Sequence, residues 1–306
     1  MKVLVTGVSG LLGVNLALAW SGEHTLTGVY HNNALHDLPC ELLQVDLSNP
    51  AALEKVLDRA RPDAIVNCAA MANVDACEEN PTAAQAINAE MPGRLAKLAK
   101  MKGIQLLHIS TDAVFNGETG GYKETDAPDP LGVYAQTKLQ GEHHVLTEYP
   151  GAIVARVNFF GCSLSGSRSL VEFFYNNLSA GKSVSGFTDV TFCPLYVEDL
   201  AEVLLRMLSR GLSGVYHTVG AECLSKYAFG VQVARTFGLD ENLVRPSSWR
   251  DVGLRARRSP NLCLDTGRLR AALDGPLPGL IHGLERFRDR IESGFPARLQ
   301  GLLGSS

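Results

Sequence analysis

Lys2-Val-Leu-Val-Thr6, followed directly by Gly7-Val-Ser-Gly10-Leu-Leu-Gly13, opens this chain of 306 residues. The first run is short, apolar and rich in β-branched residues, which is typical of a buried parallel strand. Val14 to Trp20 then has the apolar face of a helix. A glycine-rich turn between a strand and a helix indicates a dinucleotide site, because the glycines let the backbone approach a pyrophosphate at the helix amino terminus.

Strand and helix patterns alternate through the first half of the chain. We predict strands at Lys2–Thr6, Thr25–Tyr30, Leu42–Val45, Ala64–Asn67, Gln105–Ser110 and Ala152–Val157, and helices at Leu11–Ser21, Pro50–Ala60, Thr82–Lys102 and Val133–Tyr149. This order predicts an α/β fold with a Rossmann-type, doubly wound parallel sheet. Residues 1–160 are expected to form an NAD(P)-binding domain, and residues 161–306 a smaller substrate lobe interleaved with it.

The composition excludes several classes of protein. Hydrophobic residues are 45% and charged residues 20%, as in soluble globular proteins. The net charge of −4, without a basic stripe, argues against nucleic-acid binding. No apolar stretch has membrane-spanning length, and no secretory signal precedes the first strand, so we expect a cytoplasmic protein with no membrane partner.

The seven cysteines include no Cys-x-x-Cys pair, and several lie in apolar runs. We therefore expect small core residues in a reducing compartment, without disulfides or a zinc site. No group of histidines and acidic residues has the spacing of metal ligands, and we predict no tightly held metal.

Tyr134 and Lys138 lie four residues apart in a predicted helix, so both side chains are expected on one face. A cation beside a phenol favours the phenolate, and we expect Lys138 to lower the pKa of Tyr134 from its ordinary value of about 10. Alone, the pair is more often a tyrosine and a lysine on a solvated helix face, because this spacing arises by chance in many helices. A hydroxyl at the end of the strand before it, in Ser110-Thr111-Asp112, is suited to holding a substrate carbonyl against the phenol.

The glycine turn, the Ser-Thr-Asp segment and the Tyr-Lys pair together resemble the extended short-chain dehydrogenase/reductases. The similarity is strongest to the dTDP-4-dehydrorhamnose reductase group, through Val66 to Glu78, Ser110 to Phe115 and Tyr122 to Leu131. The resemblance to the same group extends to Tyr196–Ala201 and Gly214–His217. The resemblance implies reduction of a 4-keto nucleotide sugar by a nicotinamide cofactor, with catalytic roles for Thr111, Tyr134 and Lys138.

The expected cofactor contacts comprise the glycine turn, the ends of the second to sixth strands and the catalytic pair. These residues are Gly7, Ser9, Gly10, Leu11, Leu12, Gly13, His31, Asn32, Asp46, Leu47, Cys68, Ala69, Ala70, Ser110, Tyr134, Lys138 and Val157. The second strand leads into His31-Asn32, with no carboxylate to bind a ribose 2′-hydroxyl. NADP(H) is therefore favoured over NAD(H), although no arginine follows that strand to bind a 2′-phosphate.

The expected substrate contacts are Met71, Asn73, Asp112, Val114, Phe159 and Arg258. Asp112 either contacts the sugar or caps the following turn. Phe160, Arg168, Phe173 and Phe187 belong either to the pocket or to the core. Arg258 stands in Arg-Ser-Pro, where the resembled group has Arg-Pro, which leaves its contact with a diphosphate open.

Ala113 stands where related dehydratases have an acidic residue, so elimination of water is disfavoured. Two alternatives remain. One is a regulatory subunit resembling the β subunit of methionine adenosyltransferase, and the other is a nucleotide-sugar epimerase. A homodimer through the long helices is implied by the resemblance alone.

Overall fold

A seven-stranded parallel sheet lies at the centre of the computed structural model, which describes residues 1–251 and 259–303. The strands are β1 Lys2–Thr6, β2 Thr25–Tyr30, β3 Glu41–Gln44, β4 Ala64–Asn67, β5 Gln105–Thr111, β6 Ile153–Val157, β7 Phe159–Phe160, β8 Val184–Phe187, β9 Thr191–Phe192, β10 Leu195–Tyr196, β11 Gly214–Thr218, β12 Leu224–Ser225, β13 Val244–Ser247 and β14 Asn261–Leu262. The helices are α1 Leu11–Trp20, α2 Pro50–Ala60, α3 Val74–Glu79, α4 Pro81–Gln85, α5 Met91–Lys102, α6 Val133–Glu148, α7 Leu170–Ser179, α8 Val197–Ser209, α9 Lys226–Thr236, α10 Gly267–Ala272, α11 Leu280–Glu292 and α12 Phe295–Gly301.

The large sheet has the strand order β11-β6-β5-β4-β1-β2-β3. The order reverses between β1 and β4, and a crevice opens at such a switch point beyond the carboxyl ends of the strands. Val3 and Val5 pack into one core cluster, whereas Leu4 packs into another. Both faces of β1 are therefore covered, which confirms the predicted doubly wound sheet.

The second half of the chain completes this sheet. Gly214 to Thr218 pairs in parallel with Ile153 to Val157, and α8 packs against α1 within one core cluster. The remaining short strands form separate small sheets, β10-β7, β12-β9-β14 and β13-β8, beside the carboxyl edge. The two halves are thus interleaved, and the boundary at residue 160 stays a prediction.

The helix predicted at Thr82–Lys102 is confirmed, and a π-helical turn at Ala86–Glu90 lies inside it between α4 and α5. Pro92 lacks the N–H that would bond the carbonyl of Asn88 in a regular helix. That carbonyl instead lies against α6, where a Cβ added at Gly141 would meet it at 2.2 Å. Because Gly141 has no side chain, α6 approaches this π-helical turn closely.

The expectation that all cysteines are free is wrong. A disulfide joins Cys223 and Cys263, whose Cα atoms lie 5.5 Å apart, while the other five cysteines are free. The two partners are 40 residues apart in sequence. They meet because the strands beside them, β12 and β14, pair with opposite edges of β9.

Candidate active site

Two adjoining cavities lie at the carboxyl ends of the central strands. The first, about 330 Å³, is bounded by the glycine turn, the ends of β4 and β5, and α6. The second, about 490 Å³, extends from the same place between α3, β9 and α9. Thr111 and Tyr134 line both cavities, so they stand where contents of the two would meet.

The glycine turn packs closely against the backbone around it because side chains are missing from it. Gly7 has a φ of +66°, a conformation that favours glycine. The backbone N–H of Gly10 donates to the Gly7 carbonyl at 2.9 Å. A Cβ at Gly13 would lie 2.4 Å from that carbonyl oxygen and 2.7 Å from the Cα of Val8. The turn therefore has the close strand-to-helix packing expected of a pyrophosphate site.

Tyr134 and Lys138 lie in the first two turns of α6 and both line the first cavity. Lys138 is buried, and its Nζ donates to the carbonyl of Ile109 at 2.6 Å. Burial lowers the pKa of Lys138 to about 8. Burial also raises the pKa of Tyr134 to about 12, against a lowering contribution from its hydrogen bond with Thr111. The expected depression of the tyrosine pKa is therefore wrong for the protein alone, since burial raises the pKa of Tyr134 and the charges of Asp112 and Cys77 raise it further.

Thr111, Asp112 and Asn158 form a hydrogen-bonded group beside the phenol. The hydroxyl of Thr111 donates to Asp112 Oδ1 at 3.1 Å, and Asn158 Nδ2 donates to Asp112 Oδ2 at 2.5 Å. Burial raises the pKa of Asp112 to about 6 despite these bonds. Asp112 lines the second cavity, and Thr111 caps the turn at 112–114, so the capping role falls to the neighbouring threonine.

A buried ion pair anchors α6 to the sheet beneath the site. Glu142, one turn beyond Lys138, accepts from Arg156 on β6 through Nη2 at 2.8 Å and Nε at 3.0 Å. It also accepts from the hydroxyl of Ser110. The side chains of Arg156 and Glu142 are 4% and 2% exposed, so the pair is isolated from solvent. Sequence reasoning assigned neither residue a role in the site, although Glu142 follows Tyr134 and Lys138 at the same four-residue spacing and so lies on their face of the helix.

Most of the expected cofactor residues come together around the first cavity. They are Gly7, Gly10, Leu11, Leu12, Gly13, Cys68, Ala70, Ser110, Tyr134, Lys138 and Val157. Ser9, His31, Asn32, Asp46, Leu47 and Ala69 do not line it. Among these, Asp46 binds Ser48 through its carboxylate, and Leu47 is buried in the core. Lining the cavity is consistent with the first set of assignments, and all of the cofactor assignments stay predictions.

The expected substrate residues are spread over more of the structure than the expected cofactor residues. Asn73 and Asp112 line the second cavity, whereas Phe159 lines the first. Val114 is wholly buried in a core cluster and lines neither, because its short helical turn directs it away from the crevice. Met71 bonds Asn88 through its backbone, with distances of 2.9 and 3.1 Å. Arg258 lies outside the described residues.

Of the four residues left open between pocket and core, three lie in one or the other, and Phe173 lies in neither. Phe187 lines the second cavity and Arg168 the first, while Phe160 is buried and Phe173 is 42% exposed. The second cavity also contains residues that sequence reasoning missed, namely Asn158, Val190, Thr191, Phe192, Lys226, Trp249, Ser259 and Leu262. Most come from short strands and loops of the second half, which have no periodicity to reveal them.

In residues 1–251 and 259–303, no group of three or more histidine, cysteine or acidic side chains is arranged to hold a metal ion. Over the same ranges, no helix has both the length and the apolar character needed to cross a bilayer.

A dinucleotide-type glycine turn, a strand-end hydroxyl and a helical Tyr-Lys pair at one crevice define an oxidoreductase of the short-chain dehydrogenase/reductase class. Residues 1–293 match the family described as the RmlD substrate binding domain. The chain belongs to that family.

Several curated relatives are identical to this chain at about a third of the aligned residues. The probable low-salt glycan biosynthesis reductase Agl14 of Haloferax volcanii is 35% identical over 92% of this chain and 95% of its own length. The dTDP-4-dehydrorhamnose reductase of Mycobacterium tuberculosis is 34% identical over 81% and 79%. The methionine adenosyltransferase 2 subunit beta of Bos taurus is 32% identical over 88% and 81%.

A solved structure of the same architecture contains a cofactor. The dTDP-4-dehydrorhamnose reductase of Bacillus anthracis, in complex with NADP, superimposes with a TM-score of 0.82 at 26% identity. The alignment covers 95% of this chain and all of that one.

Proposed function

We propose that this protein reduces the 4-keto group of a nucleotide sugar with NADPH, and that Tyr134 donates the proton. The observation that carries the proposal is that Thr111 and Tyr134 alone among the predicted catalytic residues line both cavities. A cofactor in the first cavity and a sugar in the second would therefore meet at a hydroxyl and a phenol. The reductases similar to this chain, including the NADP complex, support the same assignment.

The proposed reaction is a two-electron reduction of a ketone to an alcohol. When bound, the dihydronicotinamide supplies the hydride that forms the new C–H bond. Tyr134 breaks its O–H bond and transfers the proton to the carbonyl oxygen, and the phenolate recovers a proton from solvent. Thr111 turns its single O–H from Asp112 to the same oxygen, and this hydrogen bond stabilises the developing negative charge.

NADPH is proposed over NADH because β2 ends at Tyr30 and leads into exposed His31 and Asn32. Neither side chain repels a 2′-phosphate. The carboxylate of Asp46, after β3, accepts from the backbone N–H and the hydroxyl of Ser48 at 2.9 and 2.6 Å.

The test is a reductase assay on the purified protein with a dTDP-4-keto-6-deoxy sugar, followed through the near-ultraviolet absorbance of NADPH. We expect turnover with NADPH, and a loss of about 10²- to 10⁴-fold in Tyr134→Phe, which lacks the proton donor. Tyr149→Phe, at the far end of α6, is the matched control and should retain activity. NADPH should bind both variants equally.

A regulatory function is the second candidate, and the similarity to the β subunit of methionine adenosyltransferase favours it. Under this alternative, no ketone is reduced, and the protein forms a stable complex with a methionine adenosyltransferase that Tyr134→Phe does not weaken. Size-exclusion chromatography of the mixed proteins distinguishes this outcome. Product analysis by NMR would identify an epimerase, since epimerisation consumes no net NADPH.

A further inference from the structure

A row of buried polar side chains leads from the catalytic lysine into the sheet. Thr6, Asn67 and His108 lie side by side on β1, β4 and β5, in register with one another. Thr6 Oγ1 lies 2.6 Å from Asn67 Oδ1, Asn67 Nδ2 lies 3.0 Å from His108 Nδ1, and His108 Nε2 lies 3.5 Å from Lys138 Nζ. None of the three strand residues is more than 1% exposed.

Lys138 has few other partners for its charge. An ammonium has three N–H donors and no acceptor. One donor bonds the carbonyl of Ile109 at 2.6 Å, and His108 Nε2 is placed to accept a second. The third is left for the cavity that Lys138 lines. The imidazole thus lies on the sheet side of the ammonium, where it can hold Lys138 at the crevice.

The bonding in this row has a direction. For His108 Nε2 to accept from an ammonium, the ring must carry its proton on Nδ1 and donate to the side-chain oxygen of Asn67. A half-turn of the Asn67 amide exchanges its nitrogen and oxygen, and hydrogen bonding alone assigns the two. If the Asn67 amide nitrogen instead donates to His108 Nδ1, the ring proton lies on Nε2. That proton could bond only an uncharged Lys138 amine. Burial and the charge of Lys138 hold the pKa of His108 well below its ordinary value, so the ring is neutral.

The row ends at the glycine turn. Thr6 directly precedes Gly7, and its hydroxyl accepts from the backbone N–H of Ala69 at 3.3 Å. A Cβ at Gly7 would meet Ala69 at 2.8 Å. The same three strands therefore bear the turn and the imidazole, and they form one rigid base for the cavity.

We propose that His108 is a positioning residue, which holds the ammonium of Lys138 against the end of β5 while Asn67 fixes the ring orientation. The inference rests on the proposed reductase function, because Lys138 acts there beside the proton donor Tyr134. It names a residue that does not line either cavity.

Several charged or titratable groups face Lys138 from the elements packed around it. Glu142 lies on the same helix and raises the pKa of Lys138, as does Cys68 at the end of β4. Arg156 on β6 faces Glu142 and is paired with it. His108 is the neutral group on β5, so its replacement changes a hydrogen bond to Lys138 and leaves these charges in place.

The matched variants are His108→Asn and His108→Gln. The asparagine amide reaches the position of Nδ1 and keeps the bond to Asn67, but it is too short for Lys138. The glutamine amide reaches the position of Nε2 and restores an acceptor for the ammonium. In His108→Asn we expect kcat to fall about tenfold, and the alkaline limb of its pH profile to move about one pH unit lower. The KM for the nucleotide sugar should not change, and His108→Gln should restore both the rate and the limb.

Titration of Lys138 by NMR, with ¹³C-labelled lysine and Lys138→Arg for assignment, provides a readout that needs no turnover. The midpoint should be lower in His108→Asn than in the native protein and in His108→Gln. An unchanged or raised midpoint, or an unmoved alkaline limb, overturns the inference. If the native protein reduces no ketone but the midpoint of Lys138 is still lower in His108→Asn than in the native protein, the positioning role is supported. Only the proposed reductase function is then refuted. Thermal melts of both variants identify any change that comes from misfolding.

Discussion

At the scale of single residues, Asp112 has the clearest dependence on pH. Burial raises the pKa of its carboxyl from 3.8 to about 6, and only 4% of the residue is exposed. Because the folded pKa is raised, the contribution of this group to stability is fully present below 3.8 and is lost as pH rises through about 6. Above that range the protein contains a buried carboxylate that solvent would stabilise better.

Asp112→Asn should therefore raise the free energy of unfolding by up to about 3 kcal/mol near pH 8, and by roughly half as much near pH 5. The amide keeps an acceptor for Thr111 or Asn158. Urea unfolding at the two pH values measures the difference. Asp126→Asn, at an exposed position, is the control and should show no such dependence. A gain that is the same at both pH values would contradict the assigned pKa.

At the scale of elements, the buried pair between α6 and β6 determines where the catalytic helix sits. Glu142→Gln leaves the guanidinium of Arg156 buried without its counter-charge, and we expect a loss of about 3–5 kcal/mol in the free energy of unfolding. Glu148→Gln, on the exposed end of the same helix, should change it by less than about 0.5 kcal/mol. Denaturant unfolding compares the two. Equal effects would mean that the pair does not anchor the helix.

The packing of α1 on β1 gives a second prediction at this scale. A Cβ at Gly13 would collide with backbone atoms of the turn at 2.4 and 2.7 Å, and backbone cannot move aside as a flexible side chain can. Gly13→Ala should cost about 1–3 kcal/mol of stability and should abolish NADPH binding, because the turn must open. Gly22→Ala meets nothing within 4 Å and serves as the control. Isothermal titration with NADPH measures the loss, and full affinity in Gly13→Ala would rule out a pyrophosphate at this turn.

At the scale of the whole molecule, the disulfide joins two segments that border the second cavity. Cys223 precedes Lys226 on the chain, and Cys263 follows Leu262, and both of these neighbours line that cavity. Reduction should lower the free energy of unfolding by about 2–4 kcal/mol, mainly by enlarging the unfolded ensemble. Melting with and without dithiothreitol measures the change. The melting temperature of Cys223→Ser should not change with reductant, whereas that of Cys40→Ser should fall as it does in the native protein. A native melting temperature that reductant does not shift would contradict the disulfide.

Local sequence was sufficient for the parts of the site that lie close together along the chain. The glycine turn is local, since strand, turn and helix follow one another within twenty residues, and Tyr134 and Lys138 share one helix. Asn158, Lys226 and Trp249 were missed because segments far apart in the sequence bring them to the second cavity. Val114 was misplaced because nothing in the run Ser110 to Phe115 shows that its turn faces the core.

The order of apolar runs and glycines by itself determined a parallel sheet with a dinucleotide crevice, because buried strands and tight turns depend mainly on neighbouring residues. Only the tertiary structure decided how the groups around the phenol behave. Burial reverses the expected shift of the Tyr134 pKa. The packing of α6 on β5 places His108 against Lys138. The chain contacts that exclude water from these side chains come from strands and helices far apart in sequence, and no local pattern encodes them.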